Sequence, residues 1–295
     1  MAERIILHVG MPKCGTSTVQ NAFAAQRKLL YQNGVDYIDF GPVDLPHLRR
    51  RSTGNSNNIV YALAGELQES FGETMERISK FFLESTAQTI ILSHEDFVTF
   101  DKTHLEILKR SLSSFANNII PIIYIRDHVS WLSSDYQQHV KQLRSTEPIG
   151  VHVGKRLTTL SFSSQCKKLK DVFGNVLCRF LQGRIDIAND FLKAIDHPVH
   201  GLSDLNKYDS NVSLSKEGVE ILLSANASKL EGDEYKAAYK RAFLASKSHS
   251  KYFLPKGLAQ AVAAYSLLDL RGLKPFLSKD DWSLLERKLA VHLHS

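Results

Sequence analysis

The sequence has few cysteines and no long hydrophobic run, and both absences narrow the class of protein. The three cysteines are odd in number and show no Cys-x-x-Cys spacing: Cys14, Cys166 and Cys178. This argues against a disulfide framework or a cysteine-based zinc site and favours a reducing compartment. The best apolar run, 119–125, is far shorter than the roughly 18 residues that indicate a membrane-spanning helix. Residues 1–9 are too short and too acidic for a signal peptide, so we expect a soluble cytoplasmic protein.

The chain has only a small excess of positive charge. Its 295 residues include 37 Lys and Arg against 31 Asp and Glu, a formal net charge of +6 with His neutral. Apolar residues make up 43% and charged residues 23%, which excludes a disordered or fibrous chain. The positive charge is spread along the sequence. It suits an anionic ligand, and we expect no nucleic-acid partner.

Short apolar runs alternate with segments of helical period. Strands are predicted at 5–9, 35–40, 89–92, 118–125 and 175–180, and helices at 16–30, 59–67, 72–83, 105–115, 129–143, 157–173 and 186–195. This order indicates an α/β fold with a central parallel sheet flanked by helices. From residue 213 onward the pattern is helical. We predict one nucleotide-binding domain over 1–230, with a helical C-terminal extension over 231–295 packed on the same domain.

A turn-rich segment, residues 10–18, lies between the first predicted strand and the first predicted helix. The backbone N–H groups of such a loop and the following helix N-terminus can bind a phosphate group. Gly10 and Gly15 have the spacing of the Walker A pattern, G-x-x-x-x-G-K-S/T. However, Thr16 follows the second glycine, and the lysine stands inside the loop at Lys13. The alternative interpretation is a tight strand-to-helix turn with an exposed lysine.

A second basic position follows the predicted strand at 118–125. Arg126 and Asp127 end this strand, and Ser134 lies eight residues after the arginine on the next predicted helix. A guanidinium and a hydroxyl at this spacing can contact one phosphate from two sides. Alternatively, the Arg-Asp pair is a structural salt bridge, and Asp127 caps the helix.

Both segments resemble those of one enzyme family. Residues 12–17, Pro-Lys-Cys-Gly-Thr-Ser, resemble the P-K-S/T-G-T-T/S loop of sulfotransferases that use 3′-phosphoadenosine 5′-phosphosulfate (PAPS). Residues 126–136 resemble the family segment R-D/N-P-x-E/D-R-x-x-S-D-Y. His128 replaces the usual proline, and Cys14 replaces a small hydroxyl residue or glycine. Weaker similarity to bacterial members covers 169–180, 190–192 and 211–215.

The resemblance implies a P-loop NTPase-like sulfotransferase fold, of the bacterial carbohydrate or heparan type, and a set of donor-binding residues. The 5′-phosphosulfate would be held by Lys13, Cys14, Gly15, Thr16, Ser17 and Thr18, and the 3′-phosphate by Arg126 and Ser134. Lys13 would also contact the bridging oxygen and the leaving phosphate. No metal is expected, because a sulfuryl group carries less charge than a phosphoryl group. The close pair His292 and His294 is interpreted as a polar tail.

Sulfuryl transfer also needs a base for the acceptor hydroxyl. Glu95 is the leading candidate and His94 the second, because they follow the predicted strand 89–92 and ligands bind at the carboxyl ends of parallel strands. Alternatively, Glu95 or Asp96 caps the next helix and His94 is polar surface. The polar segment 41–58 holds His47 and the run 49–51 of three arginines, which would suit an anionic acceptor such as an acidic sugar. The alternative for this run is a solvated loop.

The sequence therefore predicts a PAPS-dependent sulfotransferase that acts on a carbohydrate or glycolipid. One alternative is a P-loop kinase using a nucleoside triphosphate, against which the position of Lys13 and the lack of a Walker B aspartate argue. The other is a nucleotide-binding regulator without catalytic activity. This regulator would keep Lys13, Arg126 and Ser134 but would lack a working base.

Overall fold

A computed structural model describes residues 1–43, 54–181, 186–199, 213–247 and 251–294. It shows an α/β fold with a five-stranded sheet in the order β2-β3-β1-β4-β5, in which every pairing is parallel. The strands are β1 (Ala2–His8), β2 (Val35–Asp36), β3 (Thr89–Ser93), β4 (Ala116–Ile125) and β5 (Leu177–Phe180). The predicted α/β class with a parallel central sheet is confirmed.

Helices occupy most of the remaining described chain. They are α1 (Thr16–Ala25), α2 (Arg27–Gln32), α3 (Asn57–Leu63), α4 (Phe71–Glu84), α5 (Lys102–Leu112), α6 (His128–Gln142), α7 (Ile149–Leu157), α8 (Phe162–Phe173), α9 (Ile187–Ala194), α10 (Lys216–Ala227), α11 (Gly232–Ala245), α12 (Lys256–Tyr265), α13 (Leu267–Leu273) and α14 (Lys279–His294). A short 3-10 helix covers Glu95–Thr99. None of the described helices is long and apolar enough to cross a membrane.

The apolar runs form the central strands because both faces of the sheet are covered. Every residue of β3 is buried, and β1 is buried from Ile5 onward. In the register of the sheet, Ile5 lies between Ile90 of β3 and Ile119 of β4. Burying such apolar side chains on both faces supplies the main driving force for this pairing.

The main differences from the sequence prediction concern β2, the first helix and α7. β2 has two residues where six were predicted. The predicted helix at 16–30 is divided at Gln26, which ends α1 and leaves the helical conformation. The sequence did not predict α7, in which Gly150 and Gly154 weaken the helical signal.

The described chain divides into two compact units. The first comprises Met1–Ile125, Ser163–Asp209 and Pro275–Ser278 and contains the sheet. The second comprises Arg126–Phe162, Ser210–Lys274 and Lys279–Ser295, and its described elements are helical. Its core is formed by Leu214 together with residues of α6, α10 and α11, namely Tyr136, Val140, Val219, Leu222 and Ala242. The predicted division after residue 230 stays a prediction.

A buried carboxylate begins α6 in the second unit. Asp127 accepts a hydrogen bond from the backbone N–H of Ser130 at 2.8 Å, so its predicted role as an N-cap is confirmed. His292 of α14 lies with its Nε2 3.0 Å from the same carboxylate. Burial opposes ionisation of Asp127, but the hydrogen bonds from His292 and Ser130 outweigh this effect and lower its pKa. The interpretation of His292 as part of a polar tail is therefore wrong.

We predict that Asp127→Ala destabilises the protein more than loss of an ordinary helix cap. Asp101 is the matched control, because it caps α5 and contacts His104, but its side chain is 65% exposed against 5% for Asp127. Asp101→Ala should cost about 1 kcal/mol in the free energy of unfolding. Asp127→Ala should cost about 2–3 kcal/mol, because it also leaves His292 without its buried partner. Urea unfolding followed by circular dichroism measures both values, and equal losses would contradict the prediction.

Candidate functional site

Residues 10–18, which we call the donor loop after its predicted role, comprise most of the connection from β1 to α1 and the first three residues of α1, at the carboxyl edge of the sheet. The chain passes from β1 towards β2 and β3 on one side of the sheet, and from β4 to β5 on the other. In open parallel sheets, ligands bind beyond the carboxyl ends of the strands, where the strand order changes direction in this way. The donor loop therefore lies where the fold favours a ligand site.

The backbone of the donor loop leaves the start of α1 uncapped. Gly10, Lys13 and Gly15 have positive φ angles of 102°, 65° and 83°. Gly15 occupies the N-cap position, where it has no side chain to offer, and the first turn of α1 contains no acidic residue. In the part of the chain that the structure describes, the N–H groups of Thr16 and Ser17 donate to no backbone carbonyl. A helix start of this kind carries positive potential that attracts an anion.

Internal hydrogen bonds hold the donor loop in place. The backbone N–H of Cys14 and the hydroxyl of Thr16 both donate to the carbonyl of Met11, each at 3.1 Å. The N–H of Met11 in turn donates to the carbonyl of Tyr124 in β4. The side chains of Cys14 and Thr16 are buried. These two residues therefore shape the loop through their contacts within the protein.

The remaining predicted residues of the donor loop are partly exposed. These are Lys13, Gly15, Ser17 and Thr18. A Cβ atom at position 15 would lie 2.4 Å from Cδ1 of Ile187 in α9, so the loop packs closely on that helix at Gly15. Solvent therefore reaches part of each of these four residues.

The structure brings Glu95 against the beginning of the donor loop. A Cβ atom at Gly10 would lie 3.1 Å from the backbone oxygen of Glu95 and 3.4 Å from its Cα. Glu95 is partly exposed, and the neighbouring Asp96 is exposed. The Asp96 side chain is still 51% exposed, and its partial desolvation, together with the nearby charge of Glu66, raises its pKa. The two carboxylates stand at the carboxyl end of β3, as the sequence predicts.

His94 is buried and caps the 3-10 helix that begins with Glu95. Its Nδ1 accepts a hydrogen bond from the N–H of Asp96 at 3.1 Å, and its Nε2 lies 3.1 Å from Oδ1 of Asn57. This pattern places the proton on Nε2, because Oδ1 of Asn57 can only accept. Burial lowers the pKa of His94 to about 4. The alternative interpretation of His94 as polar surface is wrong, because the side chain is buried. The alternative that Glu95 or Asp96 caps the next helix is also wrong, because Asp101 caps α5.

A layer of buried polar side chains lies beneath these residues, and the sequence did not predict it. The hydroxyl of Ser93 accepts from Nε2 of Gln20 at 3.0 Å and lies 2.9 Å from Nδ1 of His8. The backbone N–H of Ser93 donates to Asn55, whose amide donates to the carbonyls of Ile38 and Ile91. Burial lowers the pKa of His8 to about 3. The one signal in the sequence is that His8 interrupts an apolar strand.

Arg126 and Ser134 belong to the second unit. Arg126 directly follows the last residue of β4 and is partly exposed. On α6, Ser134 is partly exposed, whereas its neighbours Ser133 and Asp135 are buried. The hydroxyl of Ser133 donates to the carbonyl of Val129. Within this part of α6, Ser134 therefore presents the accessible hydroxyl.

Neither the predicted acceptor-binding residues nor similarity to known proteins adds residues to the site. His47 and the arginines at 49–51 lie outside the described residues. No protein-family model matches the chain, and no curated protein matches it significantly. The site is therefore defined by its own geometry.

We predict that the buried histidines make the protein less stable in acid. The pKa of His94 is about 4 in the folded protein against an ordinary 6.5, so the unfolded chain binds more protons between these values. The contribution of His94 to the free energy of unfolding is therefore fully present above pH 6.5. It falls by about 3 kcal/mol as the pH approaches 4.

His94→Asn tests this prediction, because asparagine can still cap the 3-10 helix. Urea unfolding between pH 4 and pH 6.5 should show a flatter decline for His94→Asn than for the wild type. His104→Asn is the control, since the His104 side chain is 43% exposed. A decline of the same steepness in the wild type and in His94→Asn would rule out His94 as its source.

Proposed function

We propose that the protein is a sulfotransferase that moves a sulfuryl group from PAPS to a hydroxyl of a carbohydrate or glycolipid. The observation that carries the proposal is the donor loop. A Pro-Lys-Cys-Gly-Thr-Ser sequence joins the first strand of a parallel sheet to a helix start that has neither a side-chain cap nor an acidic residue. The P-loop NTPase-like fold is part of the same proposal.

In this proposal the donor loop binds the 5′-phosphosulfate. The N–H groups at the start of α1 point towards the anion, and the hydroxyls of Ser17 and Thr18 are accessible to it. The ammonium group of Lys13 stabilises the negative charge that develops on the bridging oxygen as the sulfur–oxygen bond breaks. Cys14 and Thr16 contribute through the backbone, because their side chains are buried.

Arg126 and Ser134 bind the 3′-phosphate in this proposal. The support is the sequence resemblance, together with the partial exposure of both side chains. A guanidinium and a hydroxyl are suitable donors for phosphate oxygens. Asp127 has a different role, since it caps α6.

Glu95 is the proposed base that takes the proton from the acceptor hydroxyl. It is partly exposed and its backbone lies beside Gly10. His94 is less suited to this role, because it is buried and both its ring nitrogens have partners. His94 instead fixes the backbone from which Glu95 projects. No metal takes part in the proposed reaction.

We predict that 3′-phosphoadenosine 5′-phosphate binds without Mg²⁺, whereas ATP with Mg²⁺ does not. At a hundredfold excess over its dissociation constant, the nucleotide should stabilise the protein by about 2.7 kcal/mol, which thermal unfolding detects. Arg126→Ala should weaken its binding by about 1.5–3 kcal/mol but leave adenosine 5′-phosphate unaffected. Lys13→Ala should weaken both nucleotides.

Lys216→Ala is the control, because this lysine is 81% exposed and lies on α10. Stabilisation by ATP with Mg²⁺ alone would favour the kinase and overturn the proposal. Binding of 3′-phosphoadenosine 5′-phosphate that Arg126→Ala does not change would remove this arginine from the site.

We predict that Glu95→Gln lowers the rate of sulfuryl transfer by about 100-fold or more, the usual contribution of a general base. Its affinity for 3′-phosphoadenosine 5′-phosphate should not change. Asp96→Asn is the matched control and should retain the activity, because it neutralises the exposed neighbouring carboxylate, which has no role in the proposed transfer. The measurement is transfer of labelled sulfate from PAPS to a panel of sugar and glycolipid acceptors. Full activity of Glu95→Gln would exclude it as the base, and nucleotide binding without any transfer would favour the inactive regulator.

A further inference from the structure

Three metal-binding side chains meet in the second unit, outside the residues proposed to bind the donor. Asp135 and His139 lie four residues apart on α6, which places them on the same face of the helix. His152 comes from α7, which packs on α6. One ligand atom from each of the three residues lies within 4.8 Å of the other two.

The distances within this cluster suit a small tetrahedral ion. Oδ2 of Asp135 lies 3.0 Å from Nε2 of His152 and 3.8 Å from Nε2 of His139. Ligand bonds of 2.0–2.1 Å in a tetrahedral zinc site separate the ligand atoms by about 3.3 Å. The three ligand atoms lie within 4.8 Å of one another, so His139, the most exposed of the three side chains, would have to move by about an ångström to bring them to this spacing.

We propose that Asp135, His139 and His152 form a binding site for a divalent transition metal ion, with zinc the best fit. Two imidazoles and one carboxylate are ligands that zinc prefers, and three protein ligands leave the fourth position for water. The Asp135 side chain is 7% exposed, that of His152 is 2% and that of His139 is 28%, so the site is reached from the side of His139.

A second carboxylate supports the orientation of His152. Oε2 of Glu147 lies 3.9 Å from Nδ1 of His152, the ring nitrogen that does not face Asp135. With the metal on Nε2, the proton of His152 sits on Nδ1 and faces Glu147. Carboxylates commonly accept this proton from metal-binding histidines, which here requires the 3.9 Å separation to shorten to hydrogen-bond distance. Glu147 itself is paired with Lys155.

Arg156 competes with the metal for Asp135. Its Nε lies 2.9 Å from Oδ2 of Asp135, and its Nη2 lies 3.2 Å from Oδ1. Its guanidinium also lies 5.5 Å from the centre of the Trp131 ring, and its side chain is 40% exposed. Arg156 can therefore keep its contact with Oδ1 while Oδ2 binds the metal. Its positive charge still opposes a dication, so neutralising it should raise the metal affinity.

Zinc titration of the full-length, tag-free protein, previously treated with a chelator, tests the proposal. Calorimetry should show one tightly bound zinc ion per chain. His139→Ala and His152→Ala should each lower the zinc affinity by about 100-fold or more, since even indirect partners of a metal ligand contribute 10–100-fold. Arg156→Gln should bind zinc more tightly than the wild type. His104→Ala is the matched control, because His104 contacts only one carboxylate, that of exposed Asp101, among the described residues. It should leave the titration unchanged.

Cobalt supplies a second measurement, because its visible spectrum reports the coordination geometry. The wild type should give intense tetrahedral bands that His139→Ala abolishes. His139→Ala decides the test even if variants of buried His152 do not fold, and circular dichroism verifies its helices. The proposal is overturned if His139→Ala binds zinc as the wild type does, or if cobalt keeps the weak spectrum of the aqueous ion. The cluster would then be a set of hydrogen bonds that joins α6 to α7. Neither measurement depends on sulfotransferase activity.

Discussion

The pairing of β1 with β3 on one side and β4 on the other determines where the residues of the first unit's candidate site stand. Because the strands are parallel, with His8 level with Ser93, the chain leaves β1 and β3 at the same edge of the sheet. This brings Gly10 beside the backbone of Glu95. The backbone of β4 then holds the donor loop through the hydrogen bond from Met11 to Tyr124. The apolar pairing of the sheet thus positions the polar groups at its carboxyl edge.

The buried polar layer beneath this edge stiffens it at a cost in stability. Buried polar groups must be hydrogen-bonded, and a connected set of such bonds permits few alternative arrangements. Ser93 joins β3 to β1 through His8, to α1 through Gln20, and to the start of α3 through Asn55. Apolar side chains at the same positions would stabilise the fold by burial alone, without needing hydrogen-bond partners. Polar, hydrogen-bonded side chains at positions that are usually apolar are typical of a functional site.

Local patterns in the sequence predict the features that depend on near neighbours. The apolar runs indicate β1, β3 and β4, and Asp127 is recognisable as a cap because its partner is Ser130, three residues away. The contact between His94 and Asn57 spans 37 residues, and that between His292 and Asp127 spans 165. No periodicity records such pairs, because the fold creates them. The donor loop and the position of Glu95 can therefore be predicted from the sequence, but the hydrogen bonds that fix His94 and His292 cannot.

The segment 126–136 shows that the residues of one motif have different physical roles. Asp135 is buried and contacts α7 through His152 and Arg156. Tyr136 lies in the core of the second unit and donates its hydroxyl proton to the carbonyl of Glu147. A match at these two residues is explained by how α6 packs against its neighbours, without any nucleotide. Within this segment, the proposal of a nucleotide therefore depends on Arg126 and Ser134, which are both partly exposed.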